Sequence, residues 1–157
     1  MQIRYAPLAG QNRHEAGRQL LKEAYEEVTG SPVPEIRIQE WGKPYFAEGT
    51  LHFSISHTKD HVFCVLSEKN VGIDAEEADR RIDLRLAEKI LSPAEKARYD
   101  QAQNKQETLL RFWVLKEAAA KLSGEGLRGY PNHTDFDPND PRIREIAGCS
   151  VAVLEEI

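Results

Sequence analysis

Four charged residues stand in patterns that chemistry can use. Glu117 and Lys121 lie one helical turn apart in the stretch W113-V-L-K-E-A-A-A-K121. From Leu109 to Leu122, a helix of 3.6 residues per turn is apolar on almost every side, the pattern of a buried helix. Ionised groups are expensive to bury unless they are paired or bind a metal. As an i, i+4 pair, Glu117 and Lys121 offset each other and stabilise the helix slightly. Asp74 and Glu76 form a second constellation in V71-G-I-D-A-E76, where Val71, Ile73 and Ala75 alternate with Gly72, Asp74 and Glu76. In a strand, the apolar set faces a core and both carboxylates point the other way, roughly 7 Å apart at their α-carbons. Carboxylates this close repel one another. A hard divalent cation such as Mg²⁺ fits between them, completing its octahedron with phosphate oxygens and water. A solvated acidic strand end is the plainer alternative for the same residues.

The elements that must hold these groups follow from periodicity and turn signals. Met1 to Ala6 reads as a first strand. His14 to Thr29 reads as a helix through Leu20, Leu21, Ala24, Tyr25 and Val28, stopped by Gly30 and Pro32. Ile36 to Gln39 and Leu51 to Ser56 read as strands around a G-K-P turn, and His61 to Ser67 as another. Val71 to Glu76 then follows the short turn S-E-K-N. Leu84 to Leu91 reads as a helix. A fresh helix starts at S92-P-A-E95, with Ser at the N-cap, Pro at N1 and Glu at N3, a capping box. The long buried helix comes next, then a turn-rich loop from Asp135 to Pro141 and a closing strand from Cys149 to Leu154. No tandem repeat shows in the residues, but the order of elements recurs once.

Composition narrows the class. A length of 157 residues fits one domain, or two small lobes sharing a core. Hydrophobic residues at 40% can build that core, and 30% charged residues give a soluble surface. No apolar run approaches the roughly 20 residues that cross a membrane. The start M-Q-I-R-Y-A-P lacks the basic-then-apolar layout of a secretory signal, so a cytoplasmic location is expected. Cys64 and Cys149 belong to no C-x-x-C motif or sequence cluster with histidine, and are read as reduced thiols. A net charge of −5 argues against generic nucleic-acid binding.

Five blocks in order resemble one family. G-I-D-A-E, then W-V-L-K-E-A-A-A-K about forty residues on, is similar to the paired signature of the 4′-phosphopantetheinyl transferases. W41-G-K-P-Y-F46 and F53-S-I-S-H57 resemble the family's G-K-P and F-N-[IL]-S-H-S segments, and K121-L-S-G-E-G-L127 its K-x-x-G-x-G-L. These features resemble the two-lobed, surfactin-synthetase-activating type. The resemblance implies an α+β fold of two similar small lobes, about 1–67 and 68–157, related by a pseudo-twofold axis with the active site between them. It implies a monomer that binds neither nucleic acid nor membrane. The first lobe is short: a stretch between Tyr5 and the first helix is missing, and basic residues of that region contact coenzyme A in larger members.

The implied reaction is Mg²⁺-dependent transfer of the phosphopantetheine arm of coenzyme A to a serine of an acyl or peptidyl carrier protein. Asp74 and Glu117 are then the metal ligands, with Glu76 a third, direct or through water. Lys121 contacts the diphosphate, and Glu117 or Glu76 relays the serine proton. Lys43 and His57 bind coenzyme A phosphates, with Ser56 beside His57. Arg18, in E15-A-G-R18-Q-L-L, is a further phosphate contact or else a solvated helix position. Trp113 is read as a core anchor and Glu95 as structural, while Lys116 is left between binding and packing. Carriers of this family's reactions are acidic, which nominates a basic face of Arg80, Arg81, Arg85 and Lys89 for docking. The alternative is a degenerate nucleotide- or carrier-binding module that keeps the fold without transfer.

Overall fold

The computed structural model describes residues 1–128 and 133–157. Its first half contains β1 (Gln2–Pro7), α1 (Arg13–Thr29), β2 (Ile36–Ile38), β3 (Pro44–Phe46), β4 (His52–His57) and β5 (His61–Ser67). Asn12 caps α1 by accepting from the Glu15 backbone N–H, and Gly30 ends it in the left-handed region at φ 69°. Strands β1, β5 and β4 form an antiparallel sheet in that order. Leu21, Ala24 and Tyr25 of α1 cover one face of this sheet at Phe53, Cys64 and Leu66. The β2–β3 ribbon carries the G-K-P turn and ties into the same layer through Phe46 and Ile36.

The second half contains β6 (Val71–Glu77), a 3-10 turn at Leu84–Leu86, α2 (Ala87–Ile90), α3 (Pro93–Gln101), α4 (Lys105–Ser123), a 3-10 turn at Gly126–Arg128, β7 (Ile143–Ile146) and β8 (Cys149–Glu155). Its antiparallel sheet runs β6-β8-β7. In both sheets the last strand in sequence therefore lies between the other two.

The inner faces of the two sheets meet. Phe63 and Val65 pack against Val71, Ile73, Ala75, Val151 and Val153. The outer face of the second sheet is covered by α4, with Leu115 and Ala118 sharing a core with Ala152 and Leu154. Where edges β4 and β6 come together, side chains make the junction: Ser54 and Ser56 hydroxyls accept the backbone N–H groups of Ile73 (3.1 Å) and Ala75 (3.0 Å). Buried N–H groups that would otherwise be orphaned are thereby satisfied.

Gly72 sets the distance between α4 and β6. A Cβ there would lie 2.1 Å from the Ala118 carbonyl oxygen and 2.5 Å from the Leu122 nitrogen. Only glycine lets the helix backbone approach the strand this closely.

Several boundaries differ from those read in the sequence. β3 and β7 escape a periodicity reading because three and four residues are too few to display alternation. The helix expected over Leu84 to Leu91 is a 3-10 turn followed by a single α-helical turn, and Leu91 is already extended. Arg81 lies before both, so Arg81, Arg85 and Lys89 do not share one helical stripe. The expected capping box at Ser92 is present in both its hydrogen bonds.

Candidate active site

The alternation of β6 resolves as its pattern requires. Val71, Ile73 and Ala75 lie in the inner core, and Asp74 and Glu76 are carried on the opposite face, toward α4. One helical turn of α4 presents Glu117 and Lys121 to them. Lys121 Nζ sits 3.0 Å from Asp74 Oδ1 and donates to the Ile55 carbonyl at 3.4 Å. The Ser56 hydroxyl lies 3.4 Å from the same carboxylate oxygen. Asp74 is therefore held between a strand of each sheet and the long helix.

Its other oxygen is a misfit. Asp74 Oδ2 is buried and has no hydrogen-bond partner among the described residues. Burial pushes the Asp74 carboxyl up to about 7 against the pull of Lys121, and Glu117 and Glu76 add to the rise. Glu117 is raised too, first by burial and then by Glu76, while Lys121 opposes the shift. Three acids repelling one another around an orphaned oxygen is an arrangement that a divalent cation relieves. Among the described residues, Asp74, Glu76 and Glu117 do not bring three oxygens within 4.8 Å of one another. Instead, Lys121 holds the first and Arg80 forms an ion pair with the second.

Beside these groups opens a cleft of about 270 Å³, lined by Trp41, Lys43, Phe53, Ile55, Glu117 and Lys121 among others. Lys43 points its ammonium inward, to Asn70 Oδ1 (2.6 Å), the Leu122 carbonyl (2.9 Å) and the Val71 carbonyl (3.4 Å). It thus ties the G-K-P turn to the C-terminus of α4, and burial lowers it to about 8. His57 is exposed at the end of β4. Partial desolvation lowers its pKa, and the positive charges of Arg13 and Lys121 lower it further. Arg18 lies away from this cleft, in a shallow depression with Glu15, Lys22, Val33 and Ile36.

Glu95 and Lys116 are explained by structure. Glu95 is fully buried, accepts from the backbone of Ser92 and Phe136 at 2.8 Å each, and pairs with buried Lys116 at 2.6 Å. Lys116 also donates to the Thr134 carbonyl. Trp113 packs against the second core as an anchor. Sequence reasoning did not single out Ser54, whose hydroxyl joins the sheets, or Arg13, whose charge reaches His57. Its only signal for Ser54 was the two-residue spacing from Ser56.

Comparison with known proteins now bears on this geometry. A family model described as the 4′-phosphopantetheinyl transferase superfamily matches residues 70–149, which include Asp74, Glu76, Glu117 and Lys121. The chain belongs to this superfamily. The 4′-phosphopantetheinyl transferase AcpT of Escherichia coli K12 is 40% identical over 114 residues, covering 69% of this chain and 56% of that protein. The 4′-phosphopantetheinyl transferase gsp of Aneurinibacillus migulanus is 33% identical over 129 residues, 80% of this chain and 54% of that protein. A Bacillus subtilis 4′-phosphopantetheinyl transferase is 33% identical over 93 residues, 57% of this chain and 41% of that protein. The chain thus spans about half the length of the curated relatives it matches. Among its described residues, no helix is long and apolar enough to cross a membrane.

Proposed function

We propose that this superfamily member transfers the 4′-phosphopantetheine arm of coenzyme A to a serine hydroxyl of an acyl or peptidyl carrier protein. The observation that carries this reading is the buried, unpartnered Asp74 Oδ2 beside Glu117, Glu76 and Lys121 at the rim of a cleft. Asp74, Glu117 and Glu76 would hold Mg²⁺, which when bound neutralises diphosphate oxygens and stabilises the charge that builds there.

The chain's own residues do the rest. The serine oxygen bonds to the β-phosphorus of the coenzyme A diphosphate as the bond to 3′,5′-adenosine bisphosphate breaks. Lys121 leaves Asp74 to meet the diphosphate and offsets its developing charge. Glu117, whose pKa burial raises, accepts the serine proton, with Glu76 the other candidate for that role. His57, with Arg13 nearby, offers phosphate contacts at the open end of β4, and Lys43 supports the cleft wall. Phe53 and Ile55 line the cleft beside these polar groups and give the pantetheine arm an apolar surface.

The two three-stranded sheets with matching strand order support reading the molecule as two lobes, about 1–67 and 68–157, in pseudo-twofold arrangement. Asp74, joined to both through Ser56 and Lys121, then lies between them, so the proposed metal ligands and Lys121 come from one chain, which favours a monomer. A cytoplasmic location suits a substrate such as coenzyme A. Mass spectrometry of apo-carrier proteins incubated with the protein, coenzyme A and Mg²⁺ tests the reading. A gain of roughly 340 Da, the mass of one phosphopantetheine by its formula, is expected. No gain on any acyl or peptidyl carrier overturns it.

A further inference from the structure

The apolar layer between the two sheets ends in a polar trio. Along the inner face, β5 contributes Val65, Phe63 and then His61. β6 contributes Val71, Ile73, Ala75 and then Glu77, and β8 contributes Val153, Val151 and then Cys149. Each strand thus ends its inward row on a residue able to ligate a metal. Glu77 and Cys149 are direct cross-strand partners. Among the described residues this is the one group of three potential ligands whose donor atoms all lie within 4.8 Å of one another.

The spacings are those of a coordination sphere. His61 Nδ1 lies 3.3 Å from Glu77 Oε1, Cys149 Sγ lies 3.4 Å from Glu77 Oε2, and Cys149 Sγ lies 3.8 Å from His61 Nδ1. Tetrahedral zinc, with bonds of about 2.0–2.3 Å to nitrogen, oxygen and sulfur, places its donors roughly 3.4–3.6 Å apart. Hydrogen bonding alone accounts for only two sides of this triangle. If His61 Nδ1 and the Cys149 thiol both donate to Glu77, neither has a hydrogen left to donate to the other.

We propose that His61, Glu77 and Cys149 form a zinc site that pins β5, β6 and β8 together, with water as the fourth ligand. Nitrogen, oxygen and sulfur donors in one small site suit this borderline-soft cation. Binding releases the thiol proton to solvent, and the imidazole proton moves to Nε2, freeing Nδ1 for the metal. The charges then cancel: one Zn²⁺, one thiolate and one carboxylate leave a neutral centre, which suits the core. Thr58 completes the site from β4's side by donating to Glu77 Oε1 at 2.6 Å, while its hydroxyl accepts the backbone N–H groups of Asp60 and His61. Such outer partners fix ligand orientation. Cys149 is fully buried, but the His61 and Glu77 side chains are 22% and 20% exposed, which gives the ion an entry path. Glu77 points to the opposite face of β6 from Asp74 and Glu76, so the two sites are separate.

The test is titration of the metal-free protein with Co²⁺, followed by displacement with Zn²⁺. One thiolate-to-cobalt charge-transfer band, saturating at one ion per chain and abolished by Zn²⁺, is expected. Cys149→Ser should remove the band, His61→Gln should weaken binding at least ~100-fold, and Thr58→Ala should weaken it by about 10–100-fold. Asp74→Asn and Cys64→Ser should leave the band intact, since an all-oxygen site gives none and Cys64 is outside the trio. Far-UV circular dichroism establishes that each variant is folded. Absence of the band in the folded wild-type protein overturns the proposal. So does a band that survives undiminished in folded His61→Gln and Cys149→Ser.

Discussion

Asp74 carries the strongest conflict in the molecule. Its folded pKa is raised from 3.8 to about 7, so the folded protein holds a proton that the unfolded chain has already released between those pH values. This group therefore supports folding at low pH and opposes it as pH rises through about 7. Asp74→Asn removes that opposition while still offering Lys121 an acceptor. The metal-free variant should melt higher than wild type by a margin that grows from about pH 4 to about pH 7 and is constant above that, read by scanning calorimetry. Transfer by the variant should be lost at every pH. His57 and Lys43 should separate in the same way of reading. His57→Ala, at an exposed strand end, should weaken coenzyme A binding by about 1.5–3 kcal/mol with an unchanged melting temperature. Lys43→Ala should lower both, because it also removes the bonds to Asn70 and Leu122. Calorimetric binding and thermal melts of the two variants decide it. The acidic trio and Lys121 were legible in the sequence because each pair sits at a spacing that one element fixes. Three contacts were not legible, namely Lys43 with Leu122, Glu95 with Lys116, and His61 with Cys149, because they join positions far apart in the chain.

Among the elements, β6 was the most readable. Alternation over the six residues from Val71 to Glu76 assigns each side chain to a face, and the structure keeps that assignment. The short strands β3 and β7 and the broken segment after β6 were not readable, since neighbours and not local pattern decide them. Gly72 in β6 has a role that alternation alone does not reveal. Gly72→Ala would push a methyl into the Ala118 carbonyl and the Leu122 nitrogen, atoms of a helix backbone that cannot rotate aside. The expected loss is about 1–3 kcal/mol or more in urea denaturation, together with lower transfer, because α4 must move away from Asp74 and take Glu117 and Lys121 with it. Retention of wild-type stability would mean that the helix is not seated on the strand as described.

The protein as a unit is acidic at net −5, so on the proposed function overall charge would not attract an acidic carrier and a local basic patch would have to do so. Of the basic residues after β6, Arg80 is committed to Glu76 and Arg85 to Asp83. Arg81 and Lys89 are exposed and form no ion pair among the described residues. Reversing both to Glu should raise the carrier KM several-fold and flatten its salt dependence, with coenzyme A affinity unchanged. Steady-state kinetics across ionic strength would expose an error, since an unchanged KM at low salt excludes this face.

The junction made by Ser54 and Ser56 also bears on self-association. β4 and β6 are edge strands of their own sheets, and an open edge is a template on which a second chain can add a strand. The serine hydroxyls occupy the N–H groups of Ile73 and Ala75 and close that template from within. The outer edges are guarded differently, by Arg4 and Pro7 on β1 and by Arg144 and Glu145 on β7. A chain whose two halves come apart would uncover two apolar inner faces and two unpaired edges at once. Its failure under stress would therefore be aggregation before full unfolding, with the smallest polar side chains in the core as the barrier against it.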